Sequence, residues 1–205
     1  MDTTDKMRQR ILQYAQQQFV TFGYSRVSTA QFASDLKMSK STFYKYYPSK
    51  EELLFAVIDD FYDAFEREIQ GILEDSRLAV TDKMKSFLLA VRRRFGQLHA
   101  SVVEDVRRAV PEAYARIEER RRSVITGTLI GLFEEGAKQG YFRTDVPPML
   151  VANVLVQAVQ HLEQPEVIGG MPYGYADMFQ HVFSIILEGS LSENGRKRFA
   201  GGEAE

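Results

Sequence analysis

Apolar residues recur at three- and four-residue spacing along the chain, and no segment sustains the period-two alternation of a half-buried strand. That pattern commits the sequence to an all-α fold. Met7, Ile11, Ala15, Phe19 and Phe22 share one face of a first helix, which Gly23 ends by supplying the left-handed residue that helix C-termini favour. Ser28 with Gln31, and Ser49 with Glu52, have capping-box spacing, in which each side chain satisfies an otherwise orphaned backbone N–H. Between these two starts lie a short helix carrying Phe32, Ala33 and Leu36, a turn at 37–39, and a second short helix over 40–46. A long helix follows Pro48, with Leu54, Val57, Phe61, Phe65 and Ile72 as its stripe. Three short helices and a long one make a compact head on a stiff connector.

The remainder predicts further helices. One spans 82–99, with Met84, Phe87, Leu88, Val91 and Phe95 inward, and a short one spans 101–110. Pro111, suited to a first helical position, opens a long helix that Gly140 ends. Two more cover 148–163 and 175–188, separated by a Pro- and Gly-rich loop over 164–174. From Ser190 the polar, Gly-containing sequence reads as a disordered tail. The expected division is a head at 1–50, a body at 51–189 and a tail at 190–205.

The sequence lacks cysteine, which removes disulfides and thiolate metal sites. His99, His161 and His181 are too scattered to suggest a metal site, and P-loop, nucleophile-elbow and HExxH motifs are missing. Neither an enzyme nor a cofactor is expected. No apolar run approaches the ~20 residues of a membrane span, and the polar start does not resemble a signal peptide, so a cytoplasmic location is expected. Net charge is −2, but it is unevenly placed. From Lys6 to Lys50 eight basic residues face Asp35 alone, a charge of +7, which leaves −9 for the rest. A basic head on an acidic body is the asymmetry of a chain whose one end meets a polyanion.

Helix, tight turn and short second helix over 28–47 is the helix-turn-helix plan, whose second helix enters the major groove. Helical spacing sends Phe43 and Tyr47 toward the core of the head and leaves Lys40, Ser41, Tyr44 and Lys45 facing outward. Lysines, a hydroxyl and a phenol on one face suit contact with phosphates and base edges together. The run from Thr29 through Leu54, which includes Ser39-Lys-Ser-Thr-Phe-Tyr-Lys-Tyr-Tyr-Pro-Ser-Lys-Glu-Glu, resembles the DNA-binding signature of the TetR/AcrR family of transcriptional regulators. Residues 11–15, Phe19 and Gly23-Tyr24 resemble that family's first helix.

The resemblance implies an N-terminal three-helix helix-turn-helix domain, joined by a long helix to a C-terminal helical domain that binds a ligand and dimerises. It places Lys40, Ser41 and Tyr44 at base-contacting positions. Thr42, Lys45 and Tyr46 fall on the sugar-phosphate backbone, Thr29 near phosphate or base edges, and Lys50 at a phosphate-binding position. Helix capping remains open as the role of Ser41 and Thr42. One two-turn recognition helix offers little surface, so two heads on a twofold axis are needed to read a palindrome.

The last two long helices carry apolar stripes wider than one monomer needs, which suggests packing inward and against a second copy. Val151, Val154, Leu155, Ala158 and Leu162 are the candidates on one. Phe179, Val182, Phe183 and Ile186 are those on the other, and the family resemblance implies a four-helix dimer contact. It also implies a small-molecule cavity among the middle helices. Phe87, Val91, Phe95, Leu98 and Val103 could line it, with Val106, Tyr114, Ile117, Val124 and Leu132, although each could equally be ordinary core. An arginine turned inward from 92–94 or 120–122 would favour an anionic ligand. The resulting reading is a repressor released from double-stranded DNA by an effector, with no membrane partner. An activator or nucleoid-type DNA binder, and a ligand-carrying or protein-interaction module with a non-functional head, remain open.

Overall fold

The computed structural model describes residues 3–95, 100–162 and 175–200. The helices are α1 (Thr3–Phe22), α2 (Thr29–Asp35), α3 (Lys40–Tyr46), α4 (Lys50–Glu74) and α5 (Val80–Phe95), then α6 (Ala100–Ala109), α7 (Pro111–Lys138), α8 (Pro148–Leu162), α9 (Tyr175–Ser190) and α10 (Glu193–Ala200). Among the described residues there is no strand, only one isolated antiparallel bridge between Phe142 and Leu191. The protein is thus all-α, with its helix-turn-helix at the N-terminal end and a helical C-terminal part. None of the described helices is long and apolar enough to cross a membrane. The chain forms two compact units, one of Met1–Ala64 with Gln97–Arg120, the other of Phe65–Gly96 with Arg121–Glu205.

In the first unit, the predicted face of α1 forms through Ile11, Ala15 and Phe19, all buried. Phe22 does not join it and is 54% exposed. Its helical angle falls within that face, but it is the last residue of α1, where the chain turns away at Gly23. Phe19 meets the Phe32 ring edge-on at 5.6 Å, and Phe32 stacks on Phe43 at 6.0 Å. Phe32 and Phe43 are fully buried, and each burial contributes about 1.5–3 kcal/mol toward holding α2 and α3 together. Tyr47 completes this core beneath the Arg8 guanidinium, 4.8 Å from its ring centroid. The start of α7 is tied to α4 by charge: Asp59 accepts from Arg116 Nε at 3.0 Å, and Asp63 from Arg120 at 2.6 Å.

The second unit packs Met84, Phe87, Val91 and Phe95 of α5 inward, with Phe65 edge-on to Phe95 at 5.2 Å. α5 begins at Val80, two residues earlier than its apolar stripe suggests, and Ala79 accepts the first amides. The expected extension to His99 and the loop at 164–174 lie outside the described residues.

The expected disordered tail requires correction over 190–200. Leu191 is buried, Arg143 N donates to Ser190 O at 3.0 Å, and Ser192 N donates to Tyr141 O at 2.9 Å. The Ser192 hydroxyl then accepts from Gly195 N at 3.0 Å as the cap of α10. A β-carbon at Gly195 would collide with the Tyr141 carbonyl oxygen, so the glycine that suggested disorder is what allows this close docking.

Candidate nucleic-acid interface

Two serine caps and a left-handed turn shape the reading head. Ser28 is the N-cap of α2 and accepts from Gln31 N at 3.1 Å. The Gln31 side chain does not return the bond as a capping box requires; its amide donates to Asp35 Oδ1 at 2.8 Å. α2 ends with Met38 N donating to Ala33 O and Lys37 N to Ser34 O, the paired bonds of a Schellman motif. Lys37 occupies the left-handed seat of that motif, with φ 57°. Ser39 then caps α3 by accepting from Thr42 N at 3.0 Å, and its hydroxyl lies 2.8 Å from those of both Ser41 and Thr42. The N-cap of α3 is thus Ser39 rather than Ser41 or Thr42.

α3 buries Phe43 and turns Lys40, Ser41, Tyr44 and Lys45 to solvent, with Thr42 and Tyr46 half-buried. Tyr44 is 43% exposed, yet it is held rather than loose. Its hydroxyl is 2.9 Å from Thr29 Oγ1, and its ring meets Phe43 edge-on at 5.6 Å. Thr29, from the first turn of α2, and Tyr44 therefore form one polar unit at the exposed edge of the helix pair. Asp35 supplies the local negative charge on α2. Its bond from the Tyr14 hydroxyl at 2.6 Å, with that from Gln31, holds its carboxyl below the usual range.

Lys50 is placed differently from the residues of α3. It opens α4 half-buried, with its ammonium 3.9 Å from the centroid of the Tyr24 ring. Burial pushes its pKa down, while the charge of Asp105 acts the other way. Asp105 belongs to α6 and binds the turn after α1: Ser25 N donates to its Oδ2 at 2.8 Å, and the Ser25 hydroxyl donates to Oδ1. Nothing in local sequence pattern connects residues eighty apart, so Ser25, Tyr24 and Asp105 escaped a reading based on helical periods.

The ligand-pocket candidates do not gather in one unit. Phe87, Val91, Phe95, Val124 and Leu132 are buried in the second, whereas Val106 is buried and Val103, Tyr114 and Ile117 half-buried in the first. Leu98, and the side chains of Leu162 and Phe179, lie outside the described residues. A small cleft in the second unit is lined instead by Phe133, Phe142, Arg143, Val146, Pro148, Val151 and Ser190. Of the arginine runs, Arg121 is the one that turns inward, at 5% exposure. Val151, Leu155 and Phe183 are buried within the single chain, Ala158, Val182 and Ile186 are half-buried, and Val154 is exposed with Met149, Leu150 and Ile185. Among the described residues no group of three or more His, Asp or Glu could hold a metal ion.

A capped helix, a left-handed turn and a seven-residue helix with a basic, hydroxyl-bearing outer face define a helix-turn-helix transcription regulator. Residues 11–57 match the tetR family of bacterial regulatory proteins. The chain is 24% identical to the HTH-type transcriptional regulator YdgC of Bacillus subtilis strain 168, an alignment covering 93% of this chain and 96% of that protein. It is 25% identical to the HTH-type transcriptional repressor DhaR of Mycobacterium sp. strain GP1, covering 75% and 79% respectively. A TetR/AcrR regulator from Thermobifida fusca shares its fold at a TM-score of 0.66, with 20% identity over 90% of this chain and 98% of that one. Residues 11–57 thus carry the DNA-binding region of the tetR family, and the relatives support a DNA-binding transcriptional regulator.

Proposed function

We propose that the protein is a cytoplasmic repressor that occupies a palindromic operator without effector and leaves it when a small molecule binds. Residues 1–50 act as the DNA-binding domain, and 51–189 bind the effector and dimerise. The observation that carries this reading is the outer face of α3, where Lys40, Ser41, Tyr44 and Lys45 are exposed around a fully buried Phe43. Lys40, Ser41 and Tyr44 reach base edges, while Thr42, Lys45, Tyr46 and Lys50 meet the sugar-phosphate backbone, with Thr29 beside Tyr44. The homodimer forms through α8 and α9. Support comes from the exposed Val154 and Ile185, the latter 71% accessible, which leave apolar surface in water when the chain is alone. Its two heads address half-sites with centres about 10 bp apart, or a multiple of that.

An effector that favours the non-binding geometry by roughly 2.7 kcal/mol lowers operator occupancy about a hundredfold. Selection of bound duplexes from a random-sequence DNA pool should enrich two inverted half-sites. A pool recovered without sequence enrichment would refute the operator reading, and an enriched sequence without a dyad would refute the dimeric one.

A further inference from the structure

We propose that Asp105 is a positioning residue for DNA binding: through the turn at Gly23–Ser25 and the Tyr24 ring, it fixes where the Lys50 ammonium stands. The inference rests on the reading of Lys50 as a phosphate contact.

Asp105 is on α6, far in sequence from every residue assigned to DNA. Both of its carboxylate oxygens are used on the turn between α1 and α2, one by the Ser25 amide at 2.8 Å and the other by the Ser25 hydroxyl. The approach is close enough to restrict the residue at 23. A β-carbon on Gly23 would lie 2.8 Å from Asp105 Oδ2, and the φ of 85° there already favours glycine. Tyr24, between the glycine and the clamped serine, is buried, and the face of its ring receives the Lys50 ammonium at 3.9 Å. Clamping the turn therefore sets the ring, and the ring sets the cation.

The electrostatics agree with the geometry. Burial works to raise the Asp105 carboxyl. The Ser25 hydroxyl, the Ser25 and Tyr24 amides and the Lys50 charge together hold it below the usual range, so it remains ionised at neutral pH. α6 thus carries a fixed anion whose hydrogen bonds organise the entry to α4. A long flexible lysine loses side-chain freedom when it is bound to a phosphate. Holding it on an aromatic face before DNA arrives removes part of that loss.

The test is a double-mutant cycle in the full-length protein, read by anisotropy of a labelled random-sequence 30-bp duplex between roughly 50 and 200 mM salt. Lys50→Ala should lower the salt slope by about one. Asp105→Ala should reproduce that lower slope and weaken binding, so that over this salt range its affinity falls about threefold less than that of the wild type. Made in the Lys50→Ala background, Asp105→Ala should add nothing. Asp105→Asn, which can accept from the Ser25 amide and donate to its hydroxyl, should bind as the wild type does or more tightly. Equal losses from Asp105→Ala in both backgrounds would overturn the proposal, because the loss would then reflect general loosening of the head. So would an unchanged slope in Asp105→Ala. A Lys50→Ala slope equal to that of the wild type would instead remove the phosphate assignment beneath it.

Discussion

Lys37→Gly should stabilise this protein, although it removes a side chain and puts a flexible residue in its place. Lys37 holds φ at 57° in the seat of the Schellman motif where glycine is usual. A left-handed backbone costs a residue with a β-carbon about 1–2 kcal/mol, whereas glycine loses about 0.5–1 kcal/mol more chain entropy on folding. The difference favours glycine by about 0.5–1 kcal/mol. The two amide bonds of the motif, to Ala33 and Ser34, are backbone bonds and survive the change. For a chain of this length, that gain raises Tm by about 1–4 °C. Calorimetric melts of Lys37→Gly, Lys37→Asn and Lys37→Ala at one ionic strength separate backbone from charge, since all three lose the ammonium. Glycine should melt highest, asparagine next and alanine lowest. Lys37→Ala equal to or above Lys37→Gly would refute the strain argument.

Other consequences can be measured directly. Tyr44→Ala should lower preference among duplex sequences while retaining low-salt binding to random DNA, read as the ratio of specific to non-specific affinity; an unchanged ratio would remove Tyr44 from base reading. Gly195→Ala should undock α10 and lower stability by about 1–3 kcal/mol, in the range of an overpacked contact, as followed by urea unfolding. Stability should also respond to acid through Asp105, whose folded pKa lies below its ordinary 3.8. A depressed carboxyl stabilises the fold above its unfolded pKa, and that contribution disappears as pH falls through the folded value. Asp105→Asn should therefore lose less stability than the wild type between pH 5 and acid, and parallel acid-unfolding curves would refute the linkage.

Much of the reading head was legible because its signals are local. Ser28 and Ser49 mark helix starts by spacing alone, and Phe43 and Tyr47 separate from Tyr44 by the helical period. What escaped were bonds set by tertiary approach. Gln31 has capping-box spacing, yet its side chain turns to Asp35, because the carboxylate one turn ahead is a stronger acceptor for its amide than the cap backbone is a donor partner. Gly195 and its charged neighbours have the composition of a tail, and only the Tyr141 carbonyl beside that glycine makes them a docked helix. Phe22 lies within the apolar arc of α1 by helical angle, yet as the last residue of that helix it ends in solvent. The clamp of Asp105 on Ser25 lies beyond any periodic argument.

The hydroxyl pair of Thr29 and Tyr44 has one more implication. Each oxygen carries a single hydrogen and two lone pairs, so the bond between them can run in either direction. When threonine gives its hydrogen, the phenol can offer its own to guanine N7 or O6; when the phenol gives, its free lone pair can accept from adenine N6 or cytosine N4. Spinning two rotors, with no movement of the helix, inverts what the chain asks of a base. In the proposed dimer, two identical subunits would thus accept half-sites that differ in sequence, without any asymmetry in the protein.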